Sequence, residues 1–334
     1  MKFLLISGFG DGLGLALRLK QEGNDVAAYV HEARAKSNYN RLLQKPRRWE
    51  HFLDKETVVL FDSLGGGRTA DRLRSQDYKV LGGSVFADQL GLDKDTSEGF
   101  VKEQGVELPK DINSTGWFDG VRFLPGMFSR SVERNKLMPG ELGPAGHDTM
   151  GLALRPTSPD QVVQTGLQRL APVLGHHGYV GPITLNSNGI IPRFRYDELP
   201  AFLELYDGEV GKLLSGLARG QGDNFHLKPG YSTAIRTSVP PYPLKGAPTQ
   251  KGVEISGLTR EDRPHSYFYD VELTEDNKLV TSGAYGRVAA FTGSGDSLDQ
   301  ALDRAYDPSY RLNVPDKQLR NDLRPIFHQV DLGG

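Results

Sequence analysis

Residues 115–151 read TGWFDGVRFLPGMFSRSVERNKLMPGELGPAGHDTMG, and the fold turns on how this stretch is read. It opens with two short apolar runs, 116–118 and 121–124, split by Asp119-Gly120, a pair suited to the tight turn of a β-hairpin. A mixed-charge segment, 130–136, comes next. Pro139, Gly140, Gly143, Pro144, Gly146 and Gly151 then punctuate a loop. So little side chain lets backbone amides approach a ligand and point inward, which suits phosphate or carboxylate groups. A long surface turn after a hairpin satisfies the same composition. The rest of the chain has to decide between the two.

Upstream, residues 3–6 form a buried-strand run that meets Gly8-Phe9-Gly10-Asp11-Gly12-Leu13-Gly14. Leu13, Leu15, Ala16, Leu17 and Leu19 start a helical pattern that stops at Gly23, and 26–30 is a second strand. Strand, glycine loop, helix, strand opens a Rossmann-like α/β domain with a helix N-terminus facing the loop. The dinucleotide fingerprint is not met, because Leu13 or Leu15 stands where either register requires a small residue. A nicotinamide-linked oxidoreductase is therefore the last of the readings. Glu32 stands where a ribose-binding acid would lie, and equally where a helix cap would. The alternation continues with strand 58–61, Gly65-Gly66-Gly67-Arg68, a helix through Leu73, strand 79–81, Gly82-Gly83-Ser84 and helices over 85–90 and 93–104. Residues 1–109 are expected to form one parallel-sheet domain that binds ligands at the carboxyl ends of its strands.

Beyond Pro109 the pattern turns to hairpins. Ser158 and Pro159 are expected to start a helix carried by Val162, Val163, Leu167, Leu170 and Leu174. His176-His177 closes it, and with no second pair at ligand spacing these two suit a helix end better than a metal. Strands are expected over 179–185 and 189–194, then helices over 200–205 and 210–217. From about residue 230 the chain reads as β-rich, with strands at 231–237, 252–255, 267–273, 279–285 and 288–291 and a closing helix at 297–305.

Composition narrows the function. Of 334 residues 25% are charged, and a net charge of −2 gives no electrostatic case for nucleic acid or an anionic membrane. The absence of cysteine excludes disulfides, thiolate metal sites and a Cys nucleophile, and fits the cytoplasm. The first ten residues, MKFLLISGFG, are too short an apolar run for a signal core or a membrane span.

Three matches in order carry a resemblance. The first is the early glycine loop with the strand–Gly-Gly-Ser–helix that leads to Leu92-Asp93-Lys94. The second is Gly116-Trp117-Phe118-Asp119-Gly120, then Lys136-Leu137-Met138-Pro139-Gly140-Glu141-Leu142-Gly143-Pro144 and Met150-Gly151. The third is Gly283-Ala284-Tyr285-Gly286-Arg287-Val288, then Thr292-Gly293-Ser294-Gly295-Asp296-Ser297-Leu298. Together they resemble the phosphoribosylamine–glycine ligase family of the ATP-grasp superfamily. The resemblance implies an α/β protein with a Rossmann-like N-terminal domain (1–109), a reduced ATP-grasp core (110–229) and a C-terminal β-rich lobe (230–334).

It further implies an ATP-dependent ligase of purine nucleotide biosynthesis, with ATP and Mg2+ as cofactors. A phosphorylated sugar amine and an amino acid would be its small-molecule partners. The alternative is a non-catalytic or altered descendant that binds a phosphorylated metabolite. By the same resemblance Arg287 and Glu141 take the catalytic positions. Gly10, Asp11, Gly12, Lys136, Gly140, Gly143, Pro144 and Arg193 take the substrate-binding positions. A guanidinium and backbone amides are suitable chemistry for such anions. Arg287 paired with an acid and Glu141 capping a turn remain the structural alternatives.

Two departures are visible in the residues. The family's lid, which supplies lysines for the nucleotide phosphates, would stand before the Gly-Trp-Phe hairpin, and here only Lys110-Asp111-Ile112-Asn113-Ser114 joins Pro109 to Thr115. Arg193-Phe194 matches the family's arginine–phenylalanine, but no acid precedes it for magnesium, which requires oxygen ligands.

Overall fold

A computed structural model describes residues 1–146, 149–158, 166–222, 224–244, 246–247 and 249–332. β1 (Lys2–Ser7), β2 (Asp25–Val30), β3 (Thr57–Phe61) and β4 (Lys79–Leu81) form a parallel sheet in the order β2-β1-β3-β4. The strands are apolar along their length because both faces are covered. Phe3 and Leu5 pack with Leu15 and Leu19 of α1 (Leu13–Gln21). Leu4 and Ile6 point the other way, to Ala70 and Leu73 of α2 (Gly67–Ser75). The strand order reverses between β1 and β3, so a crevice opens at their carboxyl ends.

α3 (Val85–Leu92) and α4 (Lys94–Glu103) complete this part. Ser84 caps α3 by accepting from the Ala87 amide at 2.9 Å, and Asp93 caps α4. Residues 104–112 then lead directly to β5 (Asn113–Phe118), with no helix or strand between. The chain passes from the first domain to the hairpin without a lid subdomain.

The expected hairpin is present. β5 pairs antiparallel with β6 (Phe123–Arg134), Phe118 facing Phe123, and Asp119 accepts from the amides of Val121 at 2.9 Å and Arg122 at 2.8 Å. β6 outruns its apolar segment because its small polar residues Ser129 and Ser131 are also buried in the sheet. The glycine-rich loop contains a second small hairpin, β7 (Lys136–Met138) with β8 (Leu142–Ala145), turned at Gly140 with φ +71°.

A nine-stranded antiparallel sheet forms the rest of the frame. Its order is β11 (Gly189–Ile191), β10 (Gly181–Asn186), β5, β6, β9 (Gly151–Pro156), β12 (Tyr231–Ser238), β17 (Arg287–Gly295) and β14 (Ser266–Phe268). β18 (Gln318–Leu319) lies beside β12. β12 pairs with β9 on one side and β17 on the other, so residues on both sides of 229/230 share one sheet. β13 (Lys251–Glu254), β16 (Leu279–Ser282) and β15 (Val271–Leu273) make a separate three-stranded sheet.

The single strand expected over 267–273 breaks into β14 and β15 at Tyr269-Asp270. There the Asp270 carboxylate turns to Arg287 and its amide donates to the Arg287 carbonyl at 3.0 Å. The strand expected over 279–285 stops at Ser282, before the left-handed Gly283. That expected over 189–194 stops at Ile191. Residues 159–165, where Pro159 is expected to open a helix, lie outside the described residues. Past them the chain makes a short turn, Leu167–Leu170, and the helix Ala171–His176.

Helix Leu199–Leu205 covers one face of the large sheet against Trp117 and Leu152, and helix Leu298–Arg311 covers the other against Val132 and Ile235. Among the described residues no helix is long and apolar enough to cross a membrane.

Candidate functional site

The carboxyl edge of the parallel sheet is built from four loops. At the end of β1, Gly10 is left-handed (φ +87°) and its amide donates to the Ser7 hydroxyl at 2.7 Å. The amides of Gly8 and Gly12 point inward, as the sequence suggests, but both donate to the Asp62 carboxylate, at 3.1 and 2.9 Å. Asp62 ends β3, is fully buried, and has its carboxyl pushed up to about 6 by burial and then by nearby Asp11, against the pull of these amides. A charge of this chain therefore occupies the N-terminus of α1. At α2 the same thing happens, with Asp88 accepting from Gly65 and Gly67 at 2.7 and 2.8 Å.

Arg287 reaches this loop from β17. It is 5% exposed and its guanidinium pairs with Asp11 and, through Nη2 at 3.1 Å, with Asp270. Asp270 also accepts from the amides of Tyr285 at 3.1 Å and Arg287 at 3.0 Å and from Asn38 at 2.9 Å. Of the residues matched to the family's site, Gly10, Asp11, Gly12 and Arg287 are thus brought together. Two of this chain's carboxylates bind the guanidinium, the partners an anionic substrate would supply.

Arg193 approaches the same edge from the other side. It is half-buried and has no ion pair or hydrogen bond among the described residues, while its charge is felt by the hydroxyls of Tyr179 and Tyr196. Tyr196 is 7% exposed and its hydroxyl is buried without a partner. A Cβ at Gly12 would stand 2.8 Å from that oxygen, so glycine there is a steric requirement. An unpaired cation and an orphaned hydroxyl beside a glycine loop form the part of this edge that lacks protein partners.

Lys136, Gly140, Glu141, Gly143 and Pro144 stand elsewhere, on the β7–β8 hairpin. The Lys136 ammonium donates to the Gly143 carbonyl at 3.4 Å, Glu141 pairs with Arg320 at 2.7 Å, and the Gly140 amide donates to Asp322 at 2.7 Å. These contacts run to residues 320–322 rather than to the glycine loop. Sequence reasoning missed Asp62, Asp88, Asp270 and Tyr196. Asp62 carried a signal, since a lone acid directly after the apolar run 58–61 lies at the ligand edge of a parallel sheet.

No protein-family model matches the chain. A phosphoribosylamine–glycine ligase of Streptomyces coelicolor is 28% identical over 180 residues, which cover 49% of this chain and 42% of the relative. The crystal structure of a phosphoribosylamine–glycine ligase from Thermotoga maritima superposes with a TM-score of 0.72 at 16% identity, covering 96% of this chain and 99% of that one. The chain is thus similar to phosphoribosylamine–glycine ligases, over half its sequence and through the fold. It spans less than half the length of the curated relative it matches. The urea carboxylase of Kluyveromyces lactis shares the fold at a TM-score of 0.60 and 12% identity, over 94% of this chain and 30% of that one.

The ligases' resemblance implies Mg2+ and ATP, and the residues present do not fit them. Among the described residues no group of three or more His, Asp or Glu could hold a metal ion. The edge strand β11, beyond Asn186, offers only Gly189, Ile190 and Ile191. The segment 104–112 carries no lid to close over a nucleotide.

Proposed function

We propose that this chain binds a phosphorylated sugar amine, the amine partner in a ligation of the phosphoribosylamine–glycine ligase type, and that the nucleotide half of the ancestral site has not been kept. Arg193 carries this reading. It is a half-buried cation with no ion pair or hydrogen bond among the described residues, and its charge reaches the orphaned Tyr196 hydroxyl, which packs against Gly12. Arg193 would take the phosphate as a charge-assisted partner and Tyr196 a sugar hydroxyl. Among the described residues no acidic cluster suits a metal ion and no lid stands between 104 and 112, which supports the loss of the nucleotide half.

Ribose 5-phosphate is a stable probe. It is expected to raise the melting temperature, Mg-ATP is not, and Arg193→Ala should abolish the shift. No shift with ribose 5-phosphate, or one that survives Arg193→Ala, overturns the reading.

The full ATP-dependent ligase of purine nucleotide biosynthesis is the second reading, favoured by the 28% identity over 180 residues to an enzyme of that name. It requires ADP release that depends on magnesium, glycine and phosphoribosylamine together. Release above blank would displace the first reading, and none from folded protein removes the second.

A further inference from the structure

A cavity of about 340 Å3 opens at the reversal of strand order, on the α2 face of the parallel sheet. Its floor is Ile6 and Phe61, which belong to the core shared with α2, whereas Tyr196 packs in the core on the opposite face. Residues 6–66 alone line it, so Arg193 and Tyr196 are not among its walls. The volume lies within the range of small-molecule sites, roughly 300–1,000 Å3.

Three features define its chemistry. Phe9 stands 50% exposed at the mouth, a ring face free to stack on a planar group. Glu32 lies two residues past β2, near the place from which a carboxylate meets ribose hydroxyls in sheets of this kind. One of its oxygens accepts from the Arg34 amide at 3.3 Å and the other has no hydrogen bond among the described residues. Ser63 accepts from the Gly8 amide at 3.0 Å, which leaves its own O–H to donate. The third feature is the state of the two helix N-termini at the rim. In such sheets they attract phosphate, but here Asp62 and Asp88 already take the amides of Gly8, Gly12, Gly65 and Gly67. Those four amides are therefore not free to receive a phosphate.

We propose that this cavity is a second small-molecule site, for an unphosphorylated nucleoside whose base stacks on Phe9 and whose ribose hydroxyls bond to Glu32 and Ser63. Calorimetric titration of the full chain with adenosine, guanosine, cytidine and uridine, each beside its 5′-monophosphate, tests it. At least one nucleoside should bind, and its monophosphate should bind about tenfold more weakly or worse, a gap of about 1.4 kcal/mol. Phe9→Ala and Glu32→Gln, both at solvent-accessible positions, should each weaken the nucleoside several-fold without changing the melting temperature of the free protein. Arg193→Ala should leave nucleoside binding intact, which separates this site from the ribose 5-phosphate site. Absence of binding by all four nucleosides at millimolar concentration overturns the proposal. So does a monophosphate that binds as tightly as its nucleoside, or binding indifferent to both cavity substitutions.

Discussion

At the scale of single residues, Asp62 is the group whose environment most directly determines what the glycine loop can hold. Its carboxyl is pushed up to about 6 from an ordinary 3.8, first by burial and then by Asp11. A raised carboxylate binds its proton more tightly folded than unfolded, so stability falls as pH climbs between about 4 and 6. The shift corresponds to about 3 kcal/mol at most, since each unit is about 1.4 kcal/mol. Denaturant titrations at pH 4, 5, 6 and 7 should show that decline in the native chain relative to Asp62→Asn. Parallel pH profiles for the two would refute the assignment.

His265 is a base rather than an acid, yet its linkage to pH has the same sign. Its hydrogen bond to Glu204, which also accepts from Thr292 at 2.7 Å, holds the imidazole above its usual range despite desolvation. The resulting stabilisation is full below about pH 6.5 and lost as pH rises through the folded value. Because the ring is half exposed, the effect should stay under about 1 kcal/mol. His265→Gln should remove it, as read from melting temperatures at pH 6 and pH 8.

At the scale of elements, the packing of helix Leu298–Arg311 on β17 depends on a glycine with ordinary backbone geometry. A Cβ on Gly293 would fall 2.4 Å from the Ala301 carbonyl oxygen and 2.7 Å from the Ala305 amide, both backbone atoms that cannot rotate aside. Gly293→Ala should therefore cost about 2–3 kcal/mol through overpacking, visible as a lower urea midpoint at unchanged m-value. An unchanged midpoint would mean that helix and strand part more easily than this contact suggests. The two hairpins at 113–145 make a related point. Asp119-Gly120 and Gly140 announced turns, but the length of β6 did not emerge from hydrophobic alternation, because a strand buried on both faces has none.

At the scale of the molecule, Arg287 is one of the groups that tie the N-terminal domain to the large sheet. Asp11 comes from the first glycine loop, Asp270 from the break between β14 and β15, and the guanidinium from β17. Replacing Arg287 by Ala leaves a nearly fully buried Asp270 and a half-buried Asp11 without their cation. That should cost about 3–5 kcal/mol. Arg287→Lys should recover only part of it, since one ammonium does not match two carboxylates and two aromatic faces, Tyr269 and Tyr285. Chemical denaturation of the two variants measures this. A loss under about 1 kcal/mol for Arg287→Ala would show that the network is incidental.

The sequence by itself determined the parallel-sheet domain, the hairpin at 115–124, the positions of the glycine turns and the ligase resemblance. Each of these rests on local patterning: apolar periodicity, turn residues and short motifs. It also showed the shortened connection at 110–114, because a missing subdomain is a matter of chain length. Only the tertiary structure decided what residues 115–151 and their matched partners do. Contacts between residues far apart in the chain put Arg287 against Asp11 and Asp270 and tied the β7–β8 hairpin to Arg320 and Asp322. The same folding placed Asp62 on the amides of Gly8 and Gly12. Motif spacing records which groups are present, whereas the three-dimensional fold decides which charges have already found a partner and which, like Arg193 among the described residues, have not.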